Sequence, residues 1–276
     1  MGLRVNTNLS SIQAQTSLRK TTKESEDSSV KMSTGLRITK AADDAAGLAI
    51  SEKIKSHIRS SHQANRNAND GLSLVQTAEG GLNESSGLLS RMKELAVQAA
   101  SDTLNDSDRE KSSMEYEVLK LELERISKTT EFNGKKLLDG SDQRMDFQVG
   151  VGYDDDDDRL SLNTSAFNSG VQSLGVAHAS IRSKTAAQGS LGSIDNAINR
   201  LSAQRAQLGS MQNRLQSSSN NLMIYSENMS AANNRIRDLD FADEAANSTR
   251  LKITSEAGTA VLVQANTSGQ AAMKLL

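Results

Sequence analysis

Residues 194–236 read IDNAINRLSAQRAQLGSMQNRLQSSSNNLMIYSENMSAANNRI, and the fold depends on the apolar pattern in this stretch. An apolar side chain recurs at every seventh position: Ile194, Leu201, Leu208, Leu215, Leu222, Met229 and Ile236. No Pro interrupts the segment, and its single Gly costs a helix only about 1 kcal/mol. A seven-residue apolar repeat holds one helix face against a partner helix through a left-handed supercoil. The stretch therefore predicts a long helix that packs against other helices.

The second seam of this helix is mostly polar and runs through Arg205, Gln212, Ser219, Ser226 and Asn233. A long helix with only one apolar seam buries little surface by itself. We therefore expect it to lie against helices of the same chain, of other chains, or of both.

The composition favours narrow helical bundles. Of the 276 residues, 36% are hydrophobic and 3% are aromatic, and the chain has no Trp, Pro or Cys. Thick globular cores are usually filled with larger side chains.

The net charge of -2 lacks the basic excess of nucleic-acid-binding proteins, so we expect no nucleic-acid partner. No apolar run reaches the roughly 18 residues of a membrane span, and the first residues lack a secretory apolar segment, so we expect neither membrane insertion nor a cleavable signal peptide.

A second long helix is predicted for residues 44–100. Its seven-residue steps from Ile54 pass through Val75, Leu82 and Leu89, and either Asp43 or Asp44 is a suitable N-cap. A shorter helix is predicted for residues 108–130; it carries apolar residues on more than one face, which is typical of a sandwiched helix. Asn133 and Gly134 tolerate left-handed backbone and are predicted to end it.

The middle of the chain, residues 137–189, changes period. Alternating apolar residues at Met145, Phe147 and Val149, and again at Leu160 and Leu162, predict a β-hairpin. The connection contains five consecutive aspartates, residues 154–158, without the spacing of a calcium loop. We interpret this run as a solvated acidic loop, with incidental cation binding as the alternative.

Both chain ends are capable of forming helices but carry few apolar residues. The N-terminal stripe consists of Val5, Leu9 and Ile12, with Gly35 as a C-cap, and the C-terminal stripe consists of Ile253, Ala257, Ala260, Gln264 and Ala271. Such stripes bury too little surface to offset the loss of chain entropy. We expect the ends to become ordered only when a partner covers them.

No catalytic or cofactor motif is present in the sequence. The three histidines, His57, His62 and His178, lack the spacing of paired zinc ligands on a helix, and no glycine-rich phosphate loop occurs. We therefore expect no enzyme activity, no metal site and no cofactor.

Six motifs resemble bacterial flagellin, in the order in which that family carries them. They are RITKAADDAAGLAISEK (37–53), LSRMKELAVQAA (89–100), TTEFNGKKLLDG (129–140), FQVG (147–150), RIRDLDFADE (235–244) and AGTAVLVQAN (257–266). The chain departs from the family in two respects. Its middle is too short for outer variable domains, and the aspartate run is not part of the family pattern.

The resemblance implies a mainly α fold in which long antiparallel helical rods form a coiled-coil-like bundle with a small β-hairpin region in the middle. Residues 44–236 would form this rod domain, with helices at 44–100, 108–130 and 190–236. Residues 1–43 and 237–276 would pair as helices and form an inner-tube domain. The side chains expected to mediate polymerisation there are Val5, Leu9, Ile12, Ile253, Ala260 and Leu275.

The implied function is a structural subunit that self-polymerises into the flagellar filament outside the cell. Implied partners are copies of the chain itself, an export chaperone, the filament cap and the hook-junction proteins. Arg91, Leu95, Gln98 and Glu115 match positions through which some flagellins engage the vertebrate innate receptor for flagellin; the alternative is that this face joins stacked subunits. Two other functions stay open: a hook–filament junction protein and a monomeric helical adaptor.

Overall fold

The computed structural model describes residues 7–141 and 143–273, with side chains described as far as residue 267 at the C-terminal end. Four long helices dominate: α1 (Leu9–Thr34), α2 (Ala45–Ala99), α5 (Lys184–Arg237) and α6 (Phe241–Met273). A helix of intermediate length, α3 (Asp106–Thr129), and a single turn, α4 (Val171–Leu174), complete the helices. The predicted mainly α fold is confirmed.

Two small antiparallel sheets lie between α3 and α4. The first pairs β1 (Glu131–Phe132) with β2 (Lys135–Lys136), and the second pairs β3 (Arg144–Gln148) with β4 (Arg159–Asn163). In the second sheet Phe147 lies opposite Leu160, as alternation of apolar residues predicts for a hairpin. A 3-10 turn (Thr164–Phe167) follows β4.

Contacts divide the described chain into two compact units. One contains the residues up to 58 and those from 227 onward, and the other contains residues 59–226. Helices α2 and α5 each contribute to both units, so the division falls inside these helices. The domain boundaries expected from sequence lie instead at the ends of the helices.

The unit of residues 59–226 is built around the seven-residue seam of α5. Ile194, Leu201, Leu208, Leu215 and Leu222 are all buried. The facing seam of α2 contributes buried side chains at Val75, Leu82 and Leu89. Of the remaining predicted seam residues, Met229, Ile236 and Ile54 are half-buried in the other unit.

The polar second seam of α5 is paired with polar groups on α2. The Gln212 amide donates to the Glu79 carboxylate at 2.7 Å, and the Ser219 hydroxyl donates to the Asn65 side chain at 3.2 Å. The Ser61 hydroxyl donates to the Leu222 carbonyl at 3.0 Å. Buried polar groups that are paired in this way favour one alignment of the two helices over others.

Both aspartates before α2 act at its start. Asp44 accepts a hydrogen bond from the Gly47 backbone N–H at 2.8 Å, as an N-cap does. Asp43 accepts bonds from the Lys40 and Thr39 backbone N–H groups and from the Thr39 hydroxyl. These bonds to its charged form lower the pKa of Asp43 to about 2.

The residues predicted to end α3 and the predicted start of α5 are wrong. Helix α3 ends at Thr129 with Thr130 as its C-cap, whereas Asn133 and Gly134 form the two-residue turn between β1 and β2. Helix α5 starts at Lys184 rather than at residue 190, because the Ser183 hydroxyl accepts from the Ala186 N–H and caps the first turn.

Truncating the central seam residue should destabilise the unit of residues 59–226. Leu208 is fully buried, so Leu208→Ala removes packed atoms and leaves a cavity, with an expected loss of about 2–5 kcal/mol in the free energy of unfolding. Met223→Ala is the control, because Met223 lies exposed on the same helix. Urea unfolding followed by circular dichroism measures both; equal losses would contradict the assignment of the seam.

Deleting two buried hydroxyl groups should affect stability differently, because only one of the two is hydrogen-bonded. Tyr116 is fully buried, and among the described residues its hydroxyl has no hydrogen-bond partner, so Tyr116→Phe should leave stability unchanged or raise it slightly. The buried Ser127 hydroxyl donates to the Leu138 carbonyl at 2.7 Å, so Ser127→Ala should cost about 1–3 kcal/mol. Thermal unfolding of both variants checks this, and a larger loss in Tyr116→Phe than in Ser127→Ala would refute it.

Candidate assembly surfaces

Helices α1 and α6 pack against each other as an antiparallel pair. At one end of the pair the Asn8 side-chain amide donates to the Ala265 carbonyl at 2.8 Å. At the other end the Leu239 backbone N–H donates to the Gly35 carbonyl at 3.0 Å. Gly35 adopts a left-handed conformation with φ of 68°, so the predicted C-cap of α1 lies where that backbone is needed.

The contact between α1 and α6 consists mainly of small side chains. The less exposed positions alternate at spacings of three and four residues: Ser11, Ala14, Leu18, Thr21, Ser25 and Ser28 on α1, and Ser248, Leu251, Ser255, Gly258, Leu262 and Ala265 on α6. A Cβ atom added at Gly258 would lie 3.3 Å from Leu18 Cδ1, so the glycine permits a close approach there. We call this contact the small-residue seam.

The C-terminal stripe expected from sequence does not face α1. Its described members, Ile253, Ala257, Ala260 and Gln264, are all exposed, and the Ala271 side chain lies outside the described ones. Small residues contribute little to an apolar pattern, so the pattern pointed to the opposite face of α6. Small polar residues and glycine that recur at spacings of three and four residues were the available signal for the small-residue seam.

Six large apolar side chains of the pair point away from the small-residue seam. Leu9 is 70% exposed and Ile253 is 62% exposed. The others of this outer apolar set are Ile12, Val30, Val261 and Val263. Val5 and Leu275, also expected to mediate polymerisation, lie outside the described residues.

A groove of about 450 Å³ runs along the α1–α6 pair. Its walls include Leu18, Gly258 and Val261, together with short side chains such as Ala14 and Ala257. A groove lined by small and aliphatic groups fits an apolar side chain better than a charged ligand.

A second exposed apolar stripe lies on α3, in the unit of residues 59–226. Met114, Val118 and Leu121 stand at positions i, i+4 and i+7 and are all largely exposed. Three large apolar side chains aligned on one helical face mark a surface suited to contact with another protein.

Arg91 connects α2 and α3 at the surface. Its guanidinium donates to Glu94 at 2.9 Å and to Glu115 at 2.9 Å, and these hydrogen bonds to the two carboxylates raise the pKa of Arg91. Gln98 is exposed on the same helix. The predicted site residues Arg91, Gln98 and Glu115 are therefore accessible in a single chain.

Leu95 does not share this accessible surface, contrary to expectation. Its side chain is 3% exposed and belongs to the core of the same chain, together with Met92 and Ala99. Leu95 is therefore already covered within the single chain. Val97, two residues further on, is the exposed apolar side chain of this part of α2.

The aspartate run is organised mainly by its own hydrogen bonds. The Asp158 carboxylate accepts from the Gly152 and Asp154 backbone N–H groups, each at 3.1 Å, and Asp155 forms an ion pair with Arg159. Within residues 7–141 and 143–273, no cluster of three or more acidic, histidine or cysteine side chains is arranged to hold a metal ion. Likewise, none of the described helices is both long and apolar enough to span a membrane.

Comparisons with known proteins agree over nearly the whole chain. Residues 5–143 match the bacterial flagellin N-terminal helical region, and residues 191–276 match the bacterial flagellin C-terminal helical region. Flagellin of Halalkalibacterium halodurans is 40% identical over 272 residues, covering 99% of each chain. The flagellar filament 33 kDa core protein of Treponema phagedenis is 36% identical over 283 residues, again covering 99% of each.

A solved structure extends the agreement to three dimensions. The crystal structure of Bacillus cereus flagellin superposes with a TM-score of 0.50 at 31% sequence identity, covering 61% of this chain and 94% of that one. Sequence matches at both ends and this structural match have one explanation: the chain belongs to the bacterial flagellin family.

Proposed function

We propose that this chain is the repeating structural subunit of a bacterial flagellar filament and that it self-polymerises through the α1–α6 pair. The observation that carries the proposal is the reversed distribution of side chains in this pair. Small residues fill most of the contact between the two helices, with Leu18, Leu251 and Leu262 as the larger members, whereas Leu9 and Ile253 remain in water. Burying apolar surface contributes about 25 cal/mol per Å², and here that contribution becomes available when copies associate.

The way in which copies contact each other follows from where the outer apolar set lies. The outer apolar set lies on both helices of a single chain, so one copy can offer one part of it while it receives another. A contact between two different surfaces generates an open helical polymer when its rotation does not close into a ring, as this proposal requires. In this proposal residues 1–43 and 237–276 form the inner domain, residues 44–236 form the surrounding rod domain, and the rod seam residues stabilise each subunit.

The family is a structural one, and the chain is not an enzyme. Its filament lies outside the cell and acts as the helical propeller for swimming. Export as an unfolded chain, without a cleavable signal peptide, is a further part of the proposal. A chain without Cys or Pro supports it, because neither disulfide formation nor slow prolyl isomerisation has to follow export.

Further partners are proposed from the family resemblance. They are an export chaperone that holds the C-terminal segment, the filament cap and the hook-junction proteins. Recognition by the vertebrate innate receptor would involve Arg91, Gln98 and Glu115, whose exposure supports it. Buried Leu95 would contribute only by supporting α2.

Seeded growth tests the filament function directly. Purified chain added to short filament fragments should lengthen them, as seen by electron microscopy, and the chain should be the main component of isolated filaments. A chain that stays monomeric in size-exclusion chromatography with seeds present would support the adaptor alternative. A copy number of a few per filament would support the junction alternative; no observation here favours either one.

Removing one outer apolar side chain should weaken polymerisation without unfolding the subunit. Ile253→Gln deletes a side chain whose burial contributes about 1.5–3 kcal/mol, so the concentration needed for growth should rise about tenfold or more. Lys252→Gln is the matched control, since Lys252 is the exposed neighbour on α6. Sedimentation of polymer at a series of concentrations measures the effect, and equal thresholds for both variants would contradict the proposal.

Amide hydrogen exchange should distinguish the two units in the free subunit. In dilute monomer the amides of α1 and α6 should exchange much faster than those of α2 beyond residue 64, because the small-residue seam buries far less apolar surface than the rod core. After polymerisation the same amides should become protected. Equal protection of α1, α6 and the rod in the monomer would refute the claim that assembly stabilises the ends.

A further inference from the structure

Asn133 and Gly134 form the two-residue turn between β1 and β2. Their φ angles are 49° and 76°, both positive, as the type I′ turn of a tight hairpin requires. Both residues are exposed, and this is the only Asn-Gly pair in the sequence. Within the described part of the chain, the Asn133 side-chain amide makes no hydrogen bond.

Gly134 is exposed, and the space beside its Cα is open. A Cβ atom added at Gly134 would meet nothing within 4 Å apart from its two chain neighbours, so no other side chain packs there. Glycine also has no side chain of its own to obstruct an approach to its nitrogen. The Gly134 nitrogen therefore lies next to the Asn133 side-chain amide in a part of the turn that no distant side chain covers.

We propose that Asn133 is a site of spontaneous deamidation in this protein. The Gly134 backbone nitrogen loses its proton to solvent and attacks Asn133 Cγ, forming a C–N bond and closing a five-membered succinimide ring. The side-chain nitrogen leaves as ammonia after taking up a proton. Water then opens the ring at either carbonyl, giving aspartate or isoaspartate at position 133.

Attack requires the turn to leave its hairpin geometry, and the hairpin is weak enough to permit this. Strands β1 and β2 pair only two residues each, Glu131 with Lys136 and Phe132 with Lys135. Such a short two-stranded hairpin has little stability of its own, so local opening is frequent compared with unfolding of the rod.

The two Asn-Ser pairs of the chain provide internal comparisons, because serine is also a small following residue. The Asn168 side-chain oxygen accepts from the Gly170 backbone N–H at 2.9 Å. The Asn247 side chain is bonded to Glu244 and Arg250 within α6. Both side chains are therefore restrained by hydrogen bonds, which limits the rotation that attack requires.

The two products should affect the structure differently. Aspartate keeps the backbone unchanged, tolerates a left-handed conformation and adds one negative charge. Isoaspartate adds a carbon to the backbone, so a two-residue loop no longer joins β1 to β2 in the same register. That change lies beside the Leu137 N–H, which donates to the Thr130 carbonyl at 3.2 Å, and beside buried Leu137 and Leu138.

The test uses the full folded chain, incubated in mildly alkaline buffer at physiological temperature over several weeks. Samples are digested with trypsin, and the peptide of residues 129–135 is followed by mass spectrometry for conversion of amide to acid. Chromatography separates the aspartate and isoaspartate forms. We expect conversion at Asn133 to be at least an order of magnitude faster than at Asn168 or Asn247.

Two controls make the outcome decisive. Asn133→Gln should abolish conversion in this peptide, because glutamine must close a larger ring. A synthetic peptide with the sequence of residues 129–135 gives the rate without the fold. Conversion of the free peptide while the folded chain stays unchanged would overturn the proposal, as would equal rates at Asn133, Asn168 and Asn247. Because the reaction occurs within one chain, failure of the filament proposal would leave this result unaffected.

Discussion

The structure depends on the single apolar seam of α5. Because large side chains such as Leu201 and Leu208 recur on only one face, the helix has to be covered along that face by α2 and α3. The same restriction leaves the opposite face of α5 polar, which suits a narrow bundle with little interior. The small sheets and the α4 turn cover one portion of this core, where Leu160 and Leu174 are buried. A seam of this kind explains how a chain with 3% aromatic residues folds stably.

The α1–α6 pair follows the opposite arrangement. In the rod, large side chains are inside and polar ones are outside; in this pair, short residues such as Ser255 and Gly258 are inside, and Ile253 and Val263 are outside. A pair built in this way can form within one chain, because the helices approach closely, but it keeps apolar surface unburied. In the proposed filament the two units therefore have different roles: one stabilises the subunit, and the other stabilises the contact between subunits.

The sequence predicted the structural features that depend on large side chains at regular spacing. The rods and the hairpin of β3 and β4 belong to this class. Contacts made by small residues were not predicted, because Gly258 adds almost nothing to an apolar pattern although it permits close packing. The burial of Leu95 within the chain was not predicted, because a family match gives the position of a residue but not the face of the helix on which the local packing places it. The early start of α5 depended on one capping hydroxyl, that of Ser183, which periodicity does not reveal.

A seven-residue repeat does not by itself fix how far α5 is shifted along α2. The polar contacts between the two helices fix it. Sliding α5 along α2 by one repeat, about 10.5 Å, would again place large side chains opposite large ones. Such a slip would bring Ser219 from Asn65 to Ile58 or Leu72, leaving its hydroxyl against hydrocarbon. Of these alignments of α5 on α2, only the observed one pairs both the apolar and the polar side chains. Every copy therefore acquires the same length between its two ends, without which identical copies could not stack at a constant interval.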